Sequence, residues 1–210
     1  MIFDDPAVSA VFADYMKRAA SERGQLSKGT VTRDDLLLPV GPEAAAFLHA
    51  LILGRRPARI LELGTSYGYS TLVLADAARK VGARLISMEL AEYKQAYARE
   101  QLTRAGLADV VDLRSGDAVE LIEADPGPFD FVLLDIWKDK YVPCFEALYP
   151  KLADEGLIAA DNMIEPASAR PSVRAYRAAI RAKADLQTVL LPIGQGIELS
   201  VRWRASSEKL

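Results

Sequence analysis

The sequence predicts an α/β fold: a doubly wound sheet of seven strands, mostly parallel, with helices on both faces and an antiparallel hairpin at its end. Three observations carry this. Five short apolar runs, at 60–63, 85–88, 110–113, 129–134 and 157–160, alternate with helical periodicity near 69–80, 92–105, 117–123, 140–152 and 167–183. The run over 129–134, rich in Val, Leu and Phe and bounded by the turn-rich Asp125-Pro126-Gly127-Pro128, reads as a buried strand of a parallel sheet. Two further runs, 188–193 and 197–203, are separated only by Gly194-Gln195-Gly196, which implies a hairpin.

Taken in order, Val8, Val11, Phe12, Tyr15 and Met16 form a helical stripe within 6–22 that ends near Gly24, and a loop with Gly29 and Thr30 follows. Pro42 suits a first helical turn, and Ala44, Ala45, Phe47, Leu48, Leu51 and Ile52 continue that helix to Gly54. The strand–helix alternation starts at Ile60. A tail over 205–210 reads as frayed.

With 210 residues, half of them hydrophobic, the chain suits one domain over 1–210. Twenty-six basic against 29 acidic residues give a net charge of -3, without the basic excess that phosphate contacts require, so nucleic acid is not an expected partner. The single Cys144 excludes an internal disulfide. The start, Met1-Ile2-Phe3-Asp4-Asp5-Pro6, lacks the basic and apolar segments of a signal peptide, and no run approaches the roughly 20 apolar residues of a bilayer span. A cytoplasmic protein without a membrane partner is expected. The oligomeric state stays open, a homodimer included.

Chemistry gathers at strand ends, where open α/β sheets hold their ligands. Gly64-Thr65-Ser66-Tyr67-Gly68-Tyr69-Ser70 joins the first strand to a helix, and small residues with free backbone N–H groups let a cofactor approach there. Strand-to-helix turns use glycine in any case, and Ser66 stands where a dinucleotide fingerprint has its second glycine. Glu89 ends the second strand, where a carboxylate can accept ribose hydroxyls or simply face solvent. Glu62, inside the first strand, needs a cation or strong donors, a ligand ammonium among them. Asp117 after the third strand can meet an adenine amino group or cap the next helix.

Asp135 ends the fourth strand and Asp161-Asn162 the fifth. Two carboxylates and an amide make an oxygen set suited to a hard divalent cation such as Mg2+, although Asp161-Asn162 alone is also an ordinary turn pair. Lys138, within one turn of Asp135, would stand beside that cation with its pKa lowered, as a general base does, although loop lysines are usually solvated. Trp137 can wall a flat ring or pack on the sheet edge. His49 and Cys144 have no partner pattern and read as structural.

These residues resemble the class I S-adenosylmethionine methyltransferases, a Rossmann-like family, and within them the metal-dependent O-methyltransferases of the catechol and caffeoyl-CoA type, over about Leu38 to Trp203. Leu61-Glu62-Leu63-Gly64 with Gly68-Tyr69-Ser70 resembles the family's cofactor turn, Met88-Glu89 its ribose acid, and Val40-Gly41 a backbone contact to the methionine part. The resemblance implies Val40, Glu62, Gly64, Ser66, Gly68, Ser70, Glu89, Asp117 and Asp135 around S-adenosylmethionine. Leu134-Asp135-Ile136-Trp137-Lys138-Asp139-Lys140-Tyr141 is closest to the catechol branch, implying Asp135, Asp161 and Asn162 as Mg2+ ligands, Lys138 as base and Trp137 in the acceptor pocket. Gly196-Ile197-Glu198 resembles the segment whose acid bonds a substrate hydroxyl, which nominates Glu198.

Two departures stand out. Ile136 replaces a histidine near the adenine, and Asp117-Ala118-Val119 replaces Ser and Gln contacts. The implied activity is methyl transfer to a catechol-like small molecule. A nicotinamide-dependent oxidoreductase also uses a glycine turn and an acid, but leaves Asp161-Asn162 unexplained. A nitrogen methyltransferase would carry an Asn-Pro-Pro-Tyr-like set at the fourth strand end, and a non-catalytic S-adenosylmethionine-binding protein would need no base.

Overall fold

Pro6 opens the first helix, α1 (Pro6–Glu22), at a position where its missing N–H costs nothing, and the Asp5 carboxylate caps it by accepting from the backbone of Ala7 and Val8. The structure is a computed structural model that describes residues 3–25, 29 and 31–203. Thr30 and the 205–210 tail therefore lie outside the described residues. After α2 (Pro42–Arg55) the chain alternates through β1 (Arg59–Leu63), α3 (Tyr69–Val81), β2 (Arg84–Glu89), α4 (Glu92–Arg104), β3 (Val111–Ser115), α5 (Ala118–Ala124), β4 (Phe129–Leu134), α6 (Tyr141–Leu148), β5 (Leu152–Ala160) and α7 (Arg170–Arg181). It finishes with β6 (Leu186–Leu191) and β7 (Ile197–Arg202).

Among the described residues these strands form one seven-stranded sheet in the order β3-β2-β1-β4-β5-β7-β6. β1 through β5 pair in parallel, and β7 runs antiparallel to both β5 and β6. The expected architecture is the one observed.

Strand alternation divides the core in two. Ile60, Leu85, Phe131, Leu133 and Leu157 point to one face, packed under α1, α2 and α3. Leu61, Leu63, Val132, Leu134 and Ile158 point to the other, packed against α5, α6 and α7. With most of these side chains at or near full burial, each contributes about 1.5–3 kcal/mol of transfer free energy. Among the described residues no helix is long and apolar enough to cross a membrane.

Some boundaries differ from expectation. β5 begins at Leu152, not 157, because Leu152 pairs with Phe129 before a register shift brings Leu157 opposite Phe131. The preceding helix accordingly ends at Leu148 and closes with a 3-10 turn over Tyr149–Lys151. Gly54 lies inside α2, and it is Arg56, at φ 50°, that turns the chain out of the helix.

The order of strands makes a switch between β1 and β4: the chain moves outward through β2 and β3, then returns to β4 on the other side of β1. Crevices form at the carboxyl ends of such strand pairs. Gly64 and Asp135 are the first residues beyond those two ends.

Candidate functional site

A cavity of about 600 Å³ opens over the carboxyl ends of β1, β2 and β4. Gly64, Ser66, Ser70, Glu89, Asp117, Asp135, Trp137, Lys138, Asn162 and Val40 all line it. Most of the predicted site residues are therefore brought to one space.

On the β2 side, Glu89 is half-buried and held by the backbone: Ser66 N–H donates to Oε2 at 2.8 Å and Ala91 N–H to Oε1 at 3.0 Å. Each oxygen keeps a lone pair for a further donor. Ser66 itself takes φ 47°, which turns its N–H toward this carboxylate. Asp117 caps the next helix and also lies on the cavity wall. Oδ1 caps α5 by accepting from Val119 N–H at 2.9 Å, while Oδ2 receives Lys140 Nζ at 3.1 Å on the cavity wall. Lys140 and the cap together hold its carboxyl below the usual range.

Of the two glycines of the turn, only Gly68 departs from its expected place. A Cβ on Gly64, at φ 102°, would lie 2.0 Å from the Asp135 carbonyl oxygen, and one on Gly68, at φ 90°, would lie 2.8 Å from the Ala98 Cβ and 2.9 Å from the Tyr15 hydroxyl. Both are required by neighbouring chain; Gly64 also lines the cavity, whereas Gly68 faces α4 and α1 instead of it. Glu62 is likewise behind the wall and not on it. Fully buried, it accepts from Thr71 Oγ1 and Ser87 Oγ, both at 2.5 Å, while Oε1 has no partner. Burial pushes its carboxyl up to about 7 against the pull of the Ser70, Ser87 and Thr71 hydroxyls.

At the ends of β4 and β5 the backbone sets two acids side by side. Asp135 N–H donates to Leu63 O at 3.0 Å and Asp161 N–H to Leu134 O at 3.1 Å. Asp161 is 2% exposed, and neither carboxylate oxygen has a hydrogen-bond partner. Burial, reinforced by the neighbouring Asp135 charge, pushes its carboxyl up to about 8. Burial also raises Asp135, whose nearest cation is Lys138 Nζ, 3.5 Å from Oδ1. Asn162, at φ 57°, donates Nδ2 to Gln195 Oε1 at 2.8 Å, which turns its amide oxygen away from Gln195. Among the described residues no three His, Cys, Asp or Glu side chains converge on a metal position. The buried, unpartnered oxygens of Asp161, the Asp135 carboxylate beside them and the Asn162 amide oxygen nevertheless fit a hard divalent cation, which would supply the missing charge.

Lys138 opens a short 3-10 turn (Lys138–Lys140) and is about one-fifth exposed. Its Nζ donates to Ile136 O at 3.0 Å and to the Tyr141 hydroxyl at 2.5 Å. Burial lowers its pKa, against the opposing pull of Asp135 and Asp161. Trp137 is 53% exposed on the cavity wall, so it is not spent on packing the sheet.

Glu198 is not brought to the cavity. It is buried in β7, where Arg177 Nε reaches Oε2 at 3.0 Å and Thr188 Oγ1 donates to Oε1 at 2.8 Å. The substrate role expected of it is corrected to an internal ion pair between α7 and the sheet. His49 is buried with Nε2 2.9 Å from Asp76 Oδ2, and Cys144 is a buried free thiol in α6.

The sequence reading missed the segment 33–39. Arg33, Asp34 and Leu36 to Pro39 cross the cavity as a strap, tied down by Leu37 N–H on Glu22 Oε2 at 2.7 Å, by Tyr93 on Asp34, and by the Lys94–Asp34 ion pair. Gln195, Ser168 and Ser172 close the far side. No periodicity marks any of these.

A family model described as O-methyltransferase matches residues 17–203, which takes in every strand of the sheet and the whole cavity wall. The chain belongs to the O-methyltransferase family. It is 37% identical over 131 residues to catechol O-methyltransferase of Niastella koreensis, covering 60% of this chain and 59% of that protein. It is 32% identical over 166 residues to catechol O-methyltransferase of Mycobacterium tuberculosis, covering 78% and 68%. The crystal structure of cofactor-bound Rv0187 from MTB superposes with a TM-score of 0.77 at 25% identity, covering 96% of this chain and 92% of that one. The chain thus spans about three-fifths of the length of the Niastella relative. Family membership leaves the nicotinamide-dependent oxidoreductase reading without support.

Proposed function

We propose that this protein transfers the methyl group of S-adenosylmethionine to one hydroxyl of a catechol-like diol held on Mg2+ or a similar divalent cation. A single cytoplasmic domain belongs to the same proposal. The observation that carries it is the pair of buried, unpartnered Asp161 oxygens, set just behind Asp135 and Lys138, which line a cavity that Glu89 shares. Support for the donor comes from Glu89, whose fixed carboxylate suits a pair of ribose hydroxyls, and from the family match.

Asp135, Asp161 and Asn162 would hold the cation. Bound there, it would take two neighbouring acceptor oxygens and lower their pKa values. Lys138 takes the proton of the reacting hydroxyl, and Trp137 offers a flat wall to the ring. The acceptor oxygen then forms its bond to the methyl carbon as the carbon–sulfur bond breaks, the sulfur keeping the electron pair. The residues contribute chiefly by alignment, which can supply roughly 7 to 11 kcal/mol of barrier reduction.

The test is radiolabelled methyl transfer over a panel of catechols, with and without Mg2+. Transfer that vanishes in excess chelator and returns with Mg2+ is expected. Transfer indifferent to chelation refutes the metal, and failure on every diol refutes the acceptor class. Donor binding without turnover would favour a non-catalytic S-adenosylmethionine-binding protein.

A further inference from the structure

Tyr141, the first residue of α6, is 1% exposed, and its hydroxyl stands at a junction. It accepts from Lys138 Nζ at 2.5 Å and lies 3.1 Å from two carbonyl oxygens, those of Leu134 at the end of β4 and Asp161 at the end of β5. Its one proton can go to either carbonyl, and its lone pairs remain for Lys138. The ring is held edge-on by Tyr176, with centroids 5.5 Å apart. The hydroxyl therefore has a fixed place relative to both acids.

We propose that the Tyr141 hydroxyl is a positioning group that aims the Lys138 amine at the acceptor. The inference rests on the reading of Lys138 as the base. A charged ammonium has three protons, and three acceptors surround this one: Ile136 O at 3.0 Å, the Tyr141 oxygen at 2.5 Å and Asp135 Oδ1 at 3.5 Å. The neutral amine keeps two protons, and the two short bonds to Ile136 and Tyr141 retain them. Its lone pair is then left on the side of Nζ away from those two bonds, free for a hydroxyl in the cavity that Lys138 lines. A diol hydroxyl placed there loses its proton along that line: the O–H bond breaks, the N–H bond forms, and the oxygen keeps the electron pair. Without the phenol oxygen the amine turns freely about its Cε–Nζ bond, and the lone pair has no preferred direction.

Tyr141→Phe keeps the ring that packs on Tyr176, so the fold is retained, which circular dichroism checks. The expected result is a fall in kcat on the order of tenfold, with KM for donor and acceptor and calorimetric Mg2+ affinity unchanged. A double-mutant cycle separates aiming from structure: in a Lys138→Met background, Tyr141→Phe should cost nothing further. An unchanged kcat in Tyr141→Phe overturns the inference while leaving Lys138 as base. An equal loss in the Lys138→Met background, or a weakened Mg2+ affinity, overturns it in favour of a structural role at the strand ends. Full turnover by Lys138→Met removes the base reading and this inference together.

Discussion

Mg2+ binding should depend on pH through Asp161. Its carboxyl is pushed up to about 8 by burial and by Asp135, so at neutral pH the metal-free protein keeps a proton at this site. A cation must displace that proton. Apparent Mg2+ affinity should then rise roughly ninefold between pH 6 and 7, equivalent to about 1.3 kcal/mol. A carboxylate with an ordinary value near 3.8 would give no slope there. At saturating Mg2+ the stabilisation of the fold grows by the same amount, which for a chain of this length raises the thermal midpoint by roughly 3–6 °C.

The assay is calorimetry and thermal melting at pH 6 and pH 7, each with and without Mg2+, so that the metal-free pH dependence cancels. Asp161→Asn, which keeps the shape but carries no titrating proton, should lose most of the affinity and flatten what remains. Equal Mg2+ affinity at the two pH values, or undiminished binding by Asp161→Asn, would refute the reasoning.

Three further outcomes are expected. Glu62 has its folded pKa raised from 4.5 to about 7, so the native state holds the extra proton and stability falls as pH rises from about 4.5 through 7. Glu62→Gln should remove that loss, stabilising the protein at pH 8 by on the order of 3 kcal/mol with little effect at pH 4, as denaturant unfolding at the two pH values would reveal. Gly64→Ala puts a methyl 2.0 Å from the Asp135 carbonyl at a positive φ, and should destabilise by about 2 kcal/mol or more; an unchanged melting curve would mean the contact is soft. Glu89→Ala should weaken S-adenosylmethionine binding by about 1.5 to 3 kcal/mol, and equal binding by calorimetry would contradict the ribose assignment.

What the residues announced and what they concealed follow from range. The strand ends were legible because a continuous apolar run is itself the buried strand, and an acid that stops it, as at Asp135 and Asp161, stands where the sheet ends. Glu89 and Asp117 were placed by the same reasoning. The purpose of Gly64 and Gly68 was hidden because it depends on what lies opposite, a carbonyl 71 positions later for one and Ala98 with Tyr15 for the other. Glu198 misled for the same reason: its partner Arg177 sits on a helix that only the folded chain lays beside β7. The strap over 33–39 has no period to read, since its place is set by ties to Glu22, Tyr93 and Lys94.

The near-contact between Gly64 and the Asp135 carbonyl has a further consequence. The turn that would face the methyl donor and the strand end that would face the acceptor touch backbone to backbone, so their separation is a property of the sheet rather than of any side chain. The strap, by contrast, arrives from elsewhere in the chain and hangs on a few side-chain ties. A lineage can therefore exchange residues such as Leu38 or Trp137 to admit a new acceptor without resetting the distance over which the methyl group must travel.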